Sequence, residues 1–372
     1  MLKKIAAFVL GVTLLLALCA PAASAIEFTE GPAPGDFRPL RLELEMMRRG
    51  LANVNVFTDG IVVLREGKII YERYARGWDR TTPHRMYSVT KSVVSALVGI
   101  AIGEGYIDSV QQKVVEFYPD AVIAPGQEGK LDMTIEHLLT HSSGLPGDSD
   151  DADAWWEANA SPGEAFDTGK AAFEIPQVAA PGGRYAYSSG PGLQTLACLV
   201  SRAVGMNLFE YAKLKLFGPL GMDSVTWDAA GDGRSYGGFG ITMTPEDMLR
   251  LGILYLNEGA WEGGQIIPAD YIVATRPPSP NRANYGYLWR TYSDEPGYER
   301  AVRAAGFFGQ FICVLPGQDM VIVRTGSAGP VVRAVTGAAL KYPAAERLFM
   351  RIVYPIAPLK GVPLRYFMEA MF

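Results

Sequence analysis

Residues 86–103, MYSVTKSVVSALVGIAIG, join a short polar turn directly to a run too apolar to lie on a protein surface, so the stretch predicts a helix buried on every side. The rest of the chain has to be arranged to cover it. Its first turn carries Ser88 and Lys91. Positions three apart share a helix face, so the lysine amine reaches the serine hydroxyl. A hydroxyl is a poor nucleophile at neutral pH unless a base takes its proton, and a lysine serves as that base only where desolvation or positive neighbours favour the neutral amine. Burial at the root of an apolar helix supplies the desolvation. Ser-x-x-Lys alone is common, about one or two per chain of this length. A serine in a capping turn followed by a solvated lysine is the plain alternative.

The 372 residues, 49% hydrophobic and 20% charged, are enough for one large globular domain with a substantial core. Residues 1–25 stand apart: Lys3 and Lys4 precede an apolar run over 5–18, followed by Pro21 and the small-residue site Ala23-Ser24-Ala25. This pattern predicts a secretory signal cut before Ile26, and the run is short for a membrane span. Leu18 is large for the position before a lipidated Cys19. Cutting the signal removes two lysines and takes the formal charge from −5 to −7. An acidic exported protein, periplasmic or extracellular, is not a nucleic-acid binder. Cys198 and Cys313 sit in apolar segments and read as small buried hydrophobes, with no disulfide or metal cluster expected.

Residues 39–51 carry no turn former between Pro39 and Gly50 and predict a helix leading into the fold. Residues 60–74 predict a hairpin turning at 65–68. Helices are expected over 134–139, with Thr134 as N-cap and Glu136 in the first turn, over 193–204, and over 243–256 with Thr244 as N-cap. The stretch 148–167 holds seven carboxylates, no Lys or Arg, and both Trp155 and Trp156. It reads either as a lid over a pocket or as a solvated insertion with its tryptophans tucked beneath. A second hairpin is expected from Ala305 onward. Strands at both ends with helices between them predict an α+β sandwich: an α/β part over about 26–105 and 285–372, with a mostly helical insertion over about 106–284. The tail 348–372 is apolar, but Pro355, Pro358 and Pro363 disfavour a spanning helix.

Three pieces stand in order: Ser88-x-x-Lys91, Tyr187-Ser188-Ser189, and a strand Ala304-Ala305-Gly306-Phe307 continuing into Phe308-Gly309-Gln310. Together with TIEHLLTHSSGL at 134–145 and GPLGM at 218–222, they resemble the serine β-lactamase and penicillin-binding-protein superfamily. The resemblance is in particular to its class C-like branch of esterases, D-amino-acid-releasing peptidases and 6-aminohexanoate-dimer hydrolases. The resemblance spans most of the mature chain and implies a β-lactamase/transpeptidase-like fold, its antiparallel sheet built from N- and C-terminal strands and flanked by helices. It implies that Ser88 attacks a carbonyl and forms an acyl-enzyme, with Lys91 and Tyr187 shuttling the proton; which of the two is the base stays open. It further implies an oxyanion hole made by the backbone N–H groups of Ser88 and Phe307. Ser189, Gly306, Phe308 and Gln310 are then expected as substrate contacts, and no cofactor is implied.

Two departures bear on substrate. Ala304, Ala305 and Gly306 stand where β-lactamases and penicillin-binding enzymes usually carry Lys-Thr-Gly, and Ser189 replaces the asparagine of Tyr-x-Asn. Arg303 is adjacent to the missing cation, but strand alternation points it to the opposite face. The expected activity is hydrolysis of esters or short linear amides. A β-lactamase or D-Ala-D-Ala carboxypeptidase acting on cell-wall peptides is the first alternative, and a non-catalytic peptidoglycan- or protein-binding member the second. His137 and His141 lie at i, i+4 but lack a metalloprotease Glu between them and an evident third ligand, which disfavours zinc. No Gly-x-Ser-x-Gly elbow surrounds a plausible nucleophile, which argues against an α/β-hydrolase.

Overall fold

The computed structural model describes residues 28–31, 56–75, 77–148, 167–292, 298 and 300–328. The expected signal, the helix over 39–51, residues 149–166 of the acidic stretch and the apolar tail lie outside the described residues.

Strands β1 (Thr29–Glu30), β2 (Val56–Arg65) and β3 (Lys68–Tyr74) come from the N-terminal part. Three short strands, β4 (His84–Arg85), β5 (Thr226–Trp227) and β6 (Ile241–Met243), form a separate small sheet, and β7 (Ala260–Trp261) pairs with β8 (Gly264–Gln265). From the C-terminal part come β9 (Arg290–Thr291), β10 (Val302–Gly306), β11 (Gln310–Leu315) and β12 (Met320–Ala328). The main sheet runs β1-β3-β2-β12-β11-β10-β9, antiparallel except for the parallel β1–β3 pair, so the two ends of the chain meet where β2 pairs with β12. The expected β2–β3 hairpin turns on Glu66 and Gly67, both at positive φ (50° and 72°), the conformation of a two-residue turn whose twist matches its strands.

The central strands are apolar on both faces. Val62, Leu64, Ile312, Val314, Val321 and Val323 face the main core, and their neighbours Ile61, Val63, Cys313, Leu315, Met320 and Ile322 form a second cluster on the other side. The Val89–Gly103 helix lies on the first face, against β10, β11 and the Pro191–Val204 helix, with every residue from Val89 to Ala101 buried. Burial so complete explains why its sequence lacks a polar stripe. The helices expected from capping signals appear as Ile135–Leu139 and Pro245–Leu256, their caps Thr134 and Thr244 accepting from the N–H of His137 and Asp247. Cys198 and Cys313 are buried free thiols, pushed up by burial to about 12 and about 11.

One expectation is corrected. The strand expected to run from Ala304 through Gln310 is broken: the chain reverses at Phe307–Gly309, where Phe308 and Gly309 take φ of 57° and 77°, so the second hairpin becomes a three-strand meander β10-β11-β12. From the region over 106–284, the Pro245–Leu256 helix packs on β11 and β12. Among the described residues no helix is long and apolar enough to cross a membrane.

That packing turns on Gly252, where an added Cβ would stand 2.5 Å from Val321 Cγ1 and 3.1 Å from Ile312 Cγ2. Alanine gains about 1 kcal/mol of helix propensity over glycine, but overpacking costs about 1–3 kcal/mol. Gly252→Ala is therefore expected to lower stability by about 1 kcal/mol net in urea unfolding, and a stabilised variant would show that Val321 yields freely.

Candidate active site

Ser88 caps the buried helix with φ −68° and ψ −5°, and the preceding Tyr87 sits at φ 48°, a strained value for a non-glycine residue. A tight turn holds this pair: Val89 N donates to Met86 O, Thr90 N to Tyr87 O and Lys91 N to Ser88 O, each at 3.1 Å. Strand β6 fixes the turn from behind, where Met86 N donates to Ile241 O at 2.8 Å and Ile241 N to Thr90 Oγ1 at 3.2 Å.

Lys91, only 1% exposed, reaches Ser88 Oγ at 3.0 Å, Ser189 Oγ at 2.9 Å and the Gly238 carbonyl at 3.0 Å. Tyr187 donates its hydroxyl to Ser88 Oγ at 2.9 Å, and its ring lies 4.7 Å from Lys91 Nζ. The three residues expected from two motifs a hundred positions apart thus meet at one oxygen.

His141 packs behind Tyr187, ring centroids 4.7 Å apart. Its Nδ1 accepts from Ser188 N at 3.3 Å, which leaves the ring proton on Nε2 to donate to Tyr285 Oη at 3.2 Å. Burial, with Lys91 and Arg290 nearby, holds its pKa well below the usual histidine range, so the ring is a neutral strut. His137 Nδ1 instead accepts from Thr134 N and closes a capping box. The two histidines diverge, and among the described residues no group of three or more His, Cys, Asp or Glu is placed to hold a metal.

On the sheet side, Gly306 presses against the turn that carries Ser88: an added Cβ would stand 2.2 Å from Met86 O. Ala304 faces the core, while Arg303 turns to the other face over the rings of Tyr292 and Phe311, as alternation predicted. Phe307 lies in the reversing turn rather than on the strand, its ring 5.8 Å and that of Phe308 5.3 Å from the Tyr87 ring. Gln310, expected as a substrate contact, is corrected: its amide is buried and closed on Gly326, donating to the carbonyl at 2.6 Å and accepting from the N–H at 3.3 Å.

Three residues were missed. Gly238 accepts from Lys91, and its sequence signal was the glycine-rich Gly237-Gly238-Phe239-Gly240. Asp148 accepts from Ser189 N at 2.6 Å and Ser189 Oγ at 3.1 Å. It is open to solvent on one side and ringed by protein on the others; that burial pushes its carboxyl above the usual range, against the pull of Lys91 and the Ser189 hydrogen bonds. Arg324, the lone cation in an apolar strand, donates to the carbonyls of Phe308 at 3.0 Å and Gly309 at 2.7 Å and to Thr58 Oγ1 at 2.8 Å. Burial pulls its guanidinium down to about 10.

A family model described as Beta-lactamase matches residues 45–340. A 6-aminohexanoate-dimer hydrolase of Paenarthrobacter ureafaciens is 27% identical over 298 residues, covering 73% of this chain and 72% of that protein. A Bacillus anthracis protein provisionally assigned as a 6-aminohexanoate-dimer hydrolase superposes with a TM-score of 0.66 at 19% identity, covering 90% of this chain and 89% of its own. EstCE1, a hydrolase with promiscuous acyltransferase activity, superposes with a TM-score of 0.63 at 15% identity over 77% of this chain and 92% of its own.

Arg324 clamps the turn that carries the Phe307 N–H. Arg324→Met leaves three acceptors without that donor, at about 1–3 kcal/mol for each that stays buried and unpaired. The variant is expected to unfold at lower urea and to slow covalent labelling of Ser88 by a fluorophosphonate at least about tenfold, a loss of the size seen for misplaced reacting groups. Wild-type labelling in the folded variant would show that the turn holds without its clamp.

Proposed function

The chain belongs to the β-lactamase family, and from that membership we propose that it is an exported serine hydrolase cleaving esters or short linear amides through an acyl-enzyme on Ser88. One observation carries this reading: Ser88 Oγ lies within hydrogen-bond reach of both Lys91 Nζ, at 3.0 Å, and Tyr187 Oη, at 2.9 Å. As Ser88 Oγ bonds to the carbonyl carbon, its proton passes into the Lys91–Tyr187 pair and the carbonyl electrons move onto oxygen. The backbone N–H groups of Ser88 and Phe307 receive that oxyanion. The C–O or C–N bond then breaks, the leaving group takes the proton, and a water repeats the sequence to release the acid. The amide-cleaving name of the Paenarthrobacter relative supports a linear amide among the substrates, and the leader over 1–25 supports a periplasmic or extracellular setting.

The substrate class follows from what is missing. A β-lactam carries a carboxylate, and a hydrogen bond to a charged group contributes about 1.5–3 kcal/mol, or roughly tenfold to a hundredfold in recognition. Ala304 and Ala305 offer neither cation nor hydroxyl, and Arg303 is committed to the rings of Tyr292 and Phe311. Ser189, in place of asparagine, has its hydroxyl engaged by Lys91 and Asp148. Small esters ask for none of these groups.

Ser88→Ala is expected to abolish p-nitrophenyl ester turnover, with Lys91→Ala and Tyr187→Phe each losing about 10²- to 10⁴-fold. Intact-protein mass spectrometry after exposure to esters, linear amides and penicillins should show an acyl adduct on Ser88, and ester kcat/KM should exceed that for benzylpenicillin by at least about a hundredfold. Efficient penicillin turnover with poor ester turnover would give the site to the cell-wall alternative.

A further inference from the structure

The hydrogen-bond directions around Lys91 can be counted. Asp148, as a carboxylate, has only acceptors, and both its oxygens face Ser189, one taking the backbone N–H at 2.6 Å and the other the hydroxyl proton at 3.1 Å. Ser189 Oγ has a single proton, so toward Lys91, 2.9 Å away, it can only accept. The Gly238 carbonyl, at 3.0 Å, also only accepts. To act as a base Lys91 must have two N–H groups and one lone pair; with the two N–H groups taken by Ser189 and Gly238, the lone pair faces Ser88 Oγ, 3.0 Å away. Tyr187 donates to Ser88 Oγ at 2.9 Å, which directs the Ser88 proton away from Tyr187 and onto that lone pair. Every proton in the cluster then has one acceptor.

We propose that Asp148 is a positioning residue: by holding the Ser189 proton it turns the Ser189 oxygen toward Lys91, so that the Lys91 lone pair stays aimed at Ser88 and Lys91 is the base of acylation. The inference rests on the serine-hydrolase reading above. In the step it describes, the Ser88 O–H bond breaks as the Lys91 N–H bond forms, and the Ser88 oxygen pair freed by that transfer makes the bond to the carbonyl carbon. Lys91, now an ammonium with three acceptors, returns the proton to the leaving group. The backbone keeps Asp148 in place: its N–H donates to the Tyr187 carbonyl at 2.7 Å, and a Cβ on the preceding Gly147 would lie 2.7 Å from that same oxygen.

The test reverses one dipole. In Asp148→Asn the amide oxygen must still accept the Ser189 N–H, which puts the NH₂ against Ser189 Oγ as a donor. The Ser189 proton then has to go elsewhere, and the acceptor within reach is the Lys91 lone pair. Acylation by p-nitrophenyl acetate, followed by stopped flow, is expected to slow about 10- to 100-fold, with KM moving much less, as for a misdirected proton acceptor. Ser189→Ala removes the proton that blocks Lys91 and is expected to lose less, about threefold to tenfold, in keeping with one lost hydrogen bond. The double variant should match Ser189→Ala and so be faster than Asp148→Asn alone. A variant that was slow because it misfolded would not be restored by a second truncation.

The proposal is overturned if Asp148→Asn acylates within about threefold of wild type, or if the double variant is as slow as or slower than Asp148→Asn, since distant or independent effects add. Mass spectrometry of wild type separates the two readings. An ester that leaves no adduct on Ser88 sinks the serine-hydrolase reading itself, whereas an adduct on Ser88 together with additive variants removes only the role of Asp148.

Discussion

A lysine amine buried at the root of an apolar helix is the constraint on which the surrounding structure depends. Lys91 cannot lie among Val89, Val93 and Val94 without oxygen partners, because an unpaired amine in that setting would cost several kcal/mol. Its partners come from three places: Ser88 on the same helix, Ser189 from the loop before the Pro191–Val204 helix, and Gly238 from the loop before β6. Satisfying one nitrogen therefore fixes the relative placement of three segments. Because one of the three partners is the candidate nucleophile, the requirement that stabilises the core is the same one that builds the site.

Bringing three backbones to one nitrogen leaves no room for side chains at the crossing points. An added Cβ at Gly238 would lie 2.1 Å from Ser189 O, and at Gly306 it would lie 2.2 Å from Met86 O. These contacts are with backbone atoms, which cannot swing aside as a side-chain end can, so glycine is required at both positions. Gly309 carries a second demand, a φ of 77° beneath the Arg324 guanidinium. The glycines that look like turn punctuation in the sequence are thus closure points of the site.

Much of this was legible in the residues. Period and apolarity located the buried helix, cap residues located the Ile135–Leu139 and Pro245–Leu256 helices, and the order of three short motifs brought Ser88, Lys91 and Tyr187 together before any coordinates. What failed to read was backbone direction. The segment from Ala304 to Gln310 is apolar and aromatic throughout, as a strand would be, and only positive φ at Phe308 and Gly309 marks the reversal. Gln310, expected to meet substrate, is instead buried at the start of β11 and holds Gly326. Asp148 was hidden for another reason: among seven acidic residues in 148–167 nothing local distinguishes the one that bonds Ser189, because the distinction is made by a segment forty residues away.

The division of labour in the site explains how its chemistry and its specificity can part company. The candidate nucleophile, its base and the expected oxyanion donors stand on turns held by backbone hydrogen bonds and by glycine-tight crossings, so they resist change at neighbouring side chains. Recognition of a substrate carboxylate, by contrast, is expected of side chains on β10, and strand geometry lets Ala304 and Ala305 lose those groups without disturbing a single ladder bond between β10 and β11. Arg303 cannot make good the loss, since one position along the strand from Ala304 its side chain already lies on the opposite face, over Tyr292 and Phe311. A chain with this backbone can therefore keep Ser88, Lys91 and Tyr187 together at one oxygen while side chains on β10 change, and the rings of Tyr87, Phe307 and Phe308 stay packed on one another beside the same turn.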